Sequence, residues 1–203
     1  MPQYLITHSL LSSWLYMLKG NPFEDATTER DPMAEFLQVL RREPTETTEA
    51  MQNGIDFENL VTDILAGHGD RSSRWWDAAA KIADELCGAR LQYKCSTKLQ
   101  IGDRAVVLYG RLDALKAGTI YDIKFSKSYE RGKYFGSTQH PTYLRIIPEA
   151  TEFVYLVSNG VDVWHEEYRR GEVFPIEPTI QNFFYWLEDA GLAGVYEQFW
   201  QAR

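Results

Sequence analysis

The chain has 203 residues, of which 44% are hydrophobic and 25% are charged, which is the composition of an ordinary globular protein. It excludes a collagen-like, mucin-like or wholly disordered polymer, and a chain of this length buries enough surface to fold as one domain without disulfide or metal support. The formal charge of -8 excludes a protein that coats nucleic acid indiscriminately, because such binding requires many cationic contacts.

The N-terminal segment is predicted to be helical. Residues 4–19 carry apolar residues at helical intervals after Thr7 or Ser9, and either of these two residues is a suitable cap for a short helix. Gly20-Asn21-Pro22 then breaks the pattern. Residues 23–53 are polar and mixed in charge, so we expect short helices joined by exposed turns.

Further helices are predicted before the first clear strand. An amphipathic patch around residues 33–40 indicates one of the short helices. The sequence IDFENLVTDIL after Gly54 predicts a longer helix that ends at Gly67-His68-Gly69. Another helix follows over about 72–87.

From residue 91 the period changes from helical to extended. The pattern predicts a three-stranded meander over residues 91–101, 104–115 and 119–125. Residues 126–137 indicate a loop, and a short helix follows over about 138–147. Ser158-Asn159-Gly160 predicts a hairpin between two strands, and two amphipathic helical patterns follow Glu177. With no repeat and no linker, the sequence predicts one α/β domain with a central mixed sheet.

Two features predict where the protein resides. No apolar run approaches the roughly 18 residues that a membrane span requires, and the stretch from Met1 to Tyr4 lacks the basic start of a signal peptide. We therefore expect a soluble, cytoplasmic protein without membrane contact. The two cysteines, Cys87 and Cys95, cannot supply a four-thiolate cluster and are interpreted as reduced core residues.

Two acidic residues fall in neighbouring predicted strands. Asp113 closes the second strand, and Asp122 lies within the third, two residues before Lys124. Because side chains alternate along a strand, Asp122 and Lys124 share a face, while Ile123 can still offer its carbonyl oxygen. Such oxygens suit Mg²⁺, and Glu58 is the natural third acid. Taken alone, an Asp-x-Lys in a strand is more simply interpreted as a solvated sheet edge.

Four short motifs follow one another between residues 54 and 143. They are Gly54-x-x-Phe57-Glu58, Gly110-Arg111-Leu112-Asp113, Tyr121-Asp122-Ile123-Lys124 and Gln139-His140-Pro141-Thr142-Tyr143. With these motifs the chain resembles the PD-(D/E)XK nuclease superfamily, specifically the RecB-like branch of phage recombination and CRISPR-associated exonucleases. A weaker match lies at residues 8–15. The resemblance implies a restriction-endonuclease-like α/β core, in which helices flank a central mixed β-sheet.

The resemblance implies a catalytic role for each matching residue. The metal ligands it implies are Glu58, Asp113, Asp122 and the backbone carbonyl of Ile123, holding Mg²⁺ or Mn²⁺. Lys124 would orient or help activate the attacking water. Gln139 and Tyr143, four apart on one helix face, would lie beside the scissile phosphate and the DNA end. The chemistry agrees, because a cation and a lysine both stabilise charge on phosphoryl oxygens.

The resemblance also implies a division of the chain. Residues 1–203 would form one nuclease domain, with an N-terminal helical segment (1–53), a catalytic core (54–168) and C-terminal helices (169–203). Many relatives have an upstream histidine that binds the metal. In this chain His68 lies in a predicted turn, which is an unfavourable position for such a ligand. The chain lacks the cysteines for an iron–sulfur cluster, and without a GxxxxGK[ST] motif we expect no ATP site.

Cations are concentrated in the segment between Lys116 and Arg145, which has six Lys or Arg and two acidic residues. Its loop, 126–137, interleaves basic and aromatic residues, which favours pairing with a nucleic-acid backbone and stacking on bases. The candidate contacts are Lys127, Tyr129, Arg131, Lys133, Tyr134 and Arg145. The alternative is a solvated loop with two aromatics folded inward.

The sequence therefore predicts a divalent-metal-dependent deoxyribonuclease that digests DNA from its ends, since the Gln139 and Tyr143 motif is typical of the end-processing branch. The alternatives are a non-catalytic nucleic-acid-binding module with the same fold or a metal-dependent endonuclease. The expected partner is DNA, as linear duplex or single strand. A single-strand annealing or recombination protein is a further candidate partner. The sequence leaves open whether the chain forms a homo-oligomer.

Overall fold

The computed structural model of the protein describes residues 3–19 and 31–202. The helices are α1 (His8–Lys19), α2 (Pro32–Leu40), α3 (Glu49–Leu65), α4 (Trp76–Leu86), α5 (Gln139–Ile146), α6 (Glu177–Asp189) and α7 (Ala193–Phe199). The strands are β1 (Gln3–Ile6), β2 (Arg90–Ile101), β3 (Arg104–Lys116), β4 (Thr119–Phe125), β5 (Glu152–Ser158) and β6 (Val163–Arg169). The predicted break at Gly20-Asn21-Pro22 and the start of the 23–53 segment lie outside the described residues.

A mixed sheet of six strands forms the centre of the fold, and β3 is its hub. β2 pairs antiparallel along nearly the whole of one edge of β3. The other edge is shared, because β1 pairs in parallel with residues 105–108 and β4 pairs antiparallel with residues 114–116. Between these pairings, residues 109–113 have no strand partner on that edge within the described chain. β5 then continues the sheet in parallel from β4, and β6 pairs antiparallel with β5.

Helices cover both faces of this sheet. Alternation along β5 divides the core, because Phe153, Tyr155 and Val157 enter one hydrophobic cluster, whereas Val154 and Leu156 enter the other. The first cluster includes buried residues of α1, α2, α5, α6 and α7, and the second includes those of α3 and α4. None of the helices described is long and apolar enough to cross a membrane.

The predicted meander, the loop over 126–137, the short helix after it and the hairpin at Ser158-Asn159-Gly160 are all confirmed. Local sequence patterns predict these elements, namely alternation within the strands and Gly or Asn at the turns. The amphipathic patch at 33–40 is confirmed as α2, whose N-cap Asp31 accepts a hydrogen bond from the N–H of Met33 at 2.9 Å.

The N-terminus differs from the prediction. The segment 1–53 was expected to be helical, but residues 4–6, which precede the predicted caps, belong to β1, because they pair in parallel with β3, a partner that no local pattern reveals. The predicted cap is confirmed, since Thr7 Oγ1 accepts a hydrogen bond from the N–H of Leu10 at 3.2 Å. The N-terminal segment therefore supplies a strand to the sheet as well as helices.

The cysteines are both free, as expected, but only one contacts the core. Cys95 is partly buried beside the carbonyl of Gly110, with Sγ 3.6 Å from the oxygen. The interpretation of Cys87 as a core residue was wrong, because it follows the last turn of α4 and is exposed. Its position after the final buried residue of the helix, Leu86, explains the error.

Candidate metal centre and active site

A cavity of about 350 Å³ opens where β3 and β4 separate. All the residues with a predicted catalytic or metal-binding role line it: Glu58, Asp113, Asp122, Ile123, Lys124, Gln139 and Tyr143. They come from α3, from the consecutive strands β3 and β4, and from α5. The fold thus brings side chains from four separate sequence motifs to one cavity.

Asp113 bridges the gap between the two diverging strands. Regular pairing of β3 with β4 reaches only as far as Ala114 and Tyr121. Beyond it, Asp113 Oδ2 accepts a hydrogen bond from the backbone N–H of Ile123 at 2.8 Å, so the carboxylate replaces the missing strand partner. In an extended strand the N–H and carbonyl of one residue point to the same side. The Ile123 carbonyl therefore also faces the gap, where the predicted metal would need it.

Asp122 is held on both sides by side chains of the predicted motifs. It is 4% exposed, and Oδ1 accepts a hydrogen bond from the Gln139 amide. Lys124 Nζ lies 2.7 Å from Oδ2 as an ion pair, because the two side chains share a strand face. Oδ2 is buried and has no partner other than Lys124 among the described residues.

The acids of the cavity repel one another. Burial, followed by the charges of Asp122 and Glu58, raises the pKa of Asp113 well above its ordinary value. Burial alone would lower the pKa of Lys124, but the charges of Asp122, Asp113 and Glu58 outweigh it and raise that pKa. One ammonium therefore faces three carboxyl groups, and the site favours additional positive charge.

Glu58 reaches the cavity from α3, which packs on the opposite face of the sheet from α5. Its side chain is partly buried, and Oε1 accepts a hydrogen bond from Gln92 Nε2 at 2.8 Å. The backbone carbonyl of Glu58 accepts a hydrogen bond from the Thr62 hydroxyl at 3.0 Å, within the same helix. Gln92 was not identified from the sequence, because it lies in no motif and its partner is 34 residues away.

Gly110 and Tyr143 form a steric pair that joins two of the motifs. A Cβ atom at position 110 would lie 2.0 Å from Tyr143 Cε1, so only glycine leaves room for the ring. Tyr143 is 3% exposed, and its hydroxyl donates a hydrogen bond to the carbonyl of Arg111 at 2.9 Å. The resemblance implied a position for Tyr143 beside the DNA end. In the structure its ring lies inside the wall of the cavity.

We expect Gly110→Ala to destabilise the protein by about 1–3 kcal/mol, the usual cost of overpacking a core. The ring of Tyr143 has to leave its place, so chemical denaturation should show a lower midpoint. Gly171→Ala is the matched control, because nothing lies within 4 Å of its Cβ position. Adding Tyr143→Ala to Gly110→Ala should recover part of the loss, and strictly additive losses would contradict the steric pairing.

His8 was missed as a site residue. It falls within the first predicted helix, and in the structure it is the first residue of α1, where it also lines the cavity. Its ring packs edge-on against Tyr143, with ring centroids 5.4 Å apart. Burial lowers its pKa to about 4, so it is neutral at physiological pH. The weaker motif match at residues 8–15 was the available signal.

Arg111 was quoted in a motif but not given a role. It is exposed, lines the cavity and lies directly opposite Lys94 across the β2–β3 ladder. Like charges in directly opposed positions destabilise a sheet. Arg111 adds positive charge at the β3 side of the cavity, and Lys94 lies beside it on β2, outside the cavity lining.

The loop 126–137 is anchored by a buried glutamate. Glu166 of β6 is 5% exposed and accepts hydrogen bonds from the Tyr129 hydroxyl at 2.8 Å and the Tyr134 N–H at 2.9 Å. The Tyr134 ring stacks on Tyr155 with centroids 4.4 Å apart. Tyr129 and Tyr134 thus fold inward, as in the alternative interpretation, whereas Phe135 of the same loop is 74% exposed.

The basic residues that were predicted to contact DNA differ in their surroundings. Lys127 and Arg131 are exposed on the loop, as is Lys133, whose Nζ donates to Ser126 Oγ at 2.6 Å. Arg145 instead pairs with Glu177 of α6, with 2.6 Å between Nε and Oε1. We therefore expect Arg145 to bind a backbone phosphate only at the cost of this ion pair.

His68 lies where the sequence analysis expected it, in a turn after α3 rather than in the cavity. Its side chain is 67% exposed, with Nδ1 3.5 Å from Asp63 Oδ1. Of the four acidic residues on α3, Glu58 is the one that lines the cavity.

The donors of the cavity suit a hard divalent cation in their chemistry. They are carboxylate oxygens, those of Asp122 buried and those of the other two acids partly buried, together with a backbone carbonyl. As the side chains stand, no three His, Cys, Asp or Glu residues within 3–19 and 31–202 form a group that could hold a metal ion. Binding would therefore have to draw Glu58, Asp113 and Asp122 closer together, with Lys124 yielding its place beside Asp122.

The fold and site together define an α/β protein with a central mixed six-stranded sheet flanked by helices. Its backbone is similar to the solved structure of SSO0001, with a TM-score of 0.51 and 12% sequence identity, over 92% of this chain and 77% of that one. At this identity the similarity shows a shared fold alone. No protein-family model matches the chain, and no curated protein matches it.

Proposed function

We propose that the chain is a Mg²⁺- or Mn²⁺-dependent deoxyribonuclease that hydrolyses DNA from its ends, a RecB-like member of the PD-(D/E)XK superfamily with a restriction-endonuclease-like core. One observation carries the proposal: the acids and the lysine of the ordered motifs, Glu58, Asp113, Asp122 and Lys124, line one cavity between two diverging strands. Three acids and one lysine in a partly buried cavity carry a desolvation cost that their own charges do not balance. A cation and a phosphate would offset that cost.

Each residue has a task in this proposal. Glu58, Asp113, Asp122 and the Ile123 carbonyl would hold the cation, which supplies Lewis acidity and lowers the pKa of a bound water. Lys124 keeps its proton, because its pKa is raised, and its ammonium would stabilise charge on the phosphoryl oxygens. Gln139 positions Asp122 through its amide hydrogen bond. Arg111 and Lys94 would contact the DNA backbone at the open side of the cavity.

The test is digestion of end-labelled linear DNA and covalently closed circular DNA by the same preparation. We expect shortening of linear DNA with Mg²⁺ or Mn²⁺, none with EDTA, and no cutting of closed circles. Single-stranded and duplex linear substrates, labelled at either end, then report strand preference and polarity. Rapid cutting of closed circles would overturn the exonuclease assignment and leave a metal-dependent endonuclease.

A second candidate is a non-catalytic nucleic-acid-binding module. The observation that favours it is the absence of a ready group of three metal ligands among the described residues. Titration of Mn²⁺ into the protein, followed by calorimetry, separates the two. Metal binding with cleavage supports the nuclease, whereas DNA binding without metal binding or cleavage supports the module.

A further inference from the structure

Gln92 has a backbone conformation that is unusual for its place in the fold. Its φ is 49°, in the left-handed region, although it lies within β2. The other positive-φ residues with side chains in the described chain are Arg42, just after α2, and Ala117, in the turn between β3 and β4. A left-handed glutamine inside a strand is strained, and such strain is maintained only when its surroundings require it.

The strand ladder is interrupted at the same point. β2 pairs regularly with β3 on both sides of Gln92, but Gln92 is not paired with the residue opposite it in register, Asp113. The neighbouring pairs also belong to different clusters, because Tyr93 and Leu112 pack in the first and Leu91 and Ala114 in the second. In both strands, the side chains of a given register therefore switch from one face of the sheet to the other at Gln92 and Asp113.

The side chain of Gln92 has one specific partner. Its Nε2 donates a hydrogen bond of 2.8 Å to Glu58 Oε1, which links β2 to α3. An amide can donate to a carboxylate without adding charge, so it fixes the Glu58 carboxylate and leaves the second oxygen, Oε2, for another partner. Gln92 does not itself line the cavity that Glu58 enters.

We propose that Gln92 is a positioning residue, which accepts backbone strain in order to hold Glu58 against the metal site. The inference rests on the proposed function, and it adds a residue that no motif contains. The broken ladder gives Asp113 the freedom to turn its carboxylate toward Ile123, and the amide orients Glu58 on the other side of the same site. Residues that orient metal ligands in this way commonly change metal affinity by about 10-fold or more when replaced.

The test compares Gln92→Gly with the wild type in two measurements. Glycine adopts positive φ at little cost, so in EDTA the variant should melt at the same temperature as the wild type or higher. Titration calorimetry with Mn²⁺ alone should nevertheless show about 10-fold weaker binding. Ala117→Gly is the matched control, because it relieves positive φ at an exposed turn and should leave Mn²⁺ affinity unchanged.

A cycle with Glu58→Gln identifies the residue through which Gln92 acts. If Gln92 works through Glu58, adding Gln92→Gly to Glu58→Gln should weaken Mn²⁺ binding no further. Gln92→Asn, which tolerates positive φ but is one methylene shorter, provides a second variant if the glycine chain folds poorly. It should show the same weakened binding.

The outcomes separate this inference from the proposed function. Wild-type protein that binds Mn²⁺ and cleaves DNA, with Gln92→Gly and Gln92→Asn equal to it in Mn²⁺ affinity, overturns the positioning role alone. Additive losses in the Glu58→Gln cycle also overturn it. Wild-type protein that neither binds Mn²⁺ nor cleaves DNA overturns both.

Discussion

Replacement of Asp122 by Asn is expected to lower metal-dependent DNA cleavage by about 10³-fold or more, which is the scale of losing a key electrostatic group from an active site. Asp122 is the most buried acid of the cavity, and it contacts both Lys124 and Gln139. Asparagine keeps the shape but removes the charge that a hard cation needs. Initial rates on end-labelled linear DNA, with saturating Mg²⁺, measure the effect.

The control for this variant is Asp189→Asn, which changes an exposed aspartate at the end of α6. It should cleave like the wild type. The Asp122→Asn protein should still fold, because Lys124 retains the charges of Asp113 and Glu58 nearby, and its circular dichroism spectrum should match the wild type. Cleavage within about threefold of wild type, by a variant shown to be folded, would contradict the proposed role of Asp122.

Sequence alone predicted the elements that carry a local signal. The strands around Asp113 and Asp122 alternate regularly, so their faces could be assigned before the structure was known. The convergence of Glu58 with these two acids could not be derived in that way, since it depends on where β3 and β4 separate. The expectation that the three acids lie together rested on the order of the motifs, and all three acids line the same cavity.

The features that the sequence concealed depend on partners distant along the chain. β1 is a strand because β3 offers it an edge. Glu166 resembles an ordinary surface acid in the sequence, but four donors converge on it and bury it beneath the 126–137 loop. Gln92 adopts positive φ, which side chains other than Gly, Asn and Asp seldom do, so no propensity predicts it.

Replacement of Asp113 by Asn is expected to abolish cleavage and also to stabilise the metal-free protein at neutral pH. Burial and the charges of Asp122 and Glu58 raise the pKa of Asp113 in the folded state above its ordinary value of 3.8. The folded protein therefore binds this proton more tightly than the unfolded chain, and the wild type loses stability as pH rises through the folded-state pKa. Asparagine carries no such charge, yet its oxygen can still accept the hydrogen bond from Ile123.

The stability difference between the two proteins should consequently depend on pH. In EDTA it should be small below pH 3.8, where Asp113 is protonated in both states, and should grow in favour of Asp113→Asn as pH rises. Each unit of raised pKa corresponds to about 1.4 kcal/mol, and each kcal/mol to about 2–4 °C in melting temperature for a chain of this size. Asp189→Asn should show no such trend, and an Asp113→Asn protein that melts below the wild type at pH 8 in EDTA would contradict the repulsion.

Added metal should reverse the order of the two proteins. A cation that binds the folded wild type stabilises it by mass action, and it also offsets the repulsion that, after burial, raises the pKa of Asp113. The Asp113→Asn variant has lost a carboxylate ligand, so the same Mn²⁺ concentration should raise its melting temperature much less. The wild type would then melt higher than the variant in Mn²⁺ and lower in EDTA at pH 8. An identical rise in both proteins would mean that the ion binds elsewhere, because only a site that includes Asp113 couples the two effects.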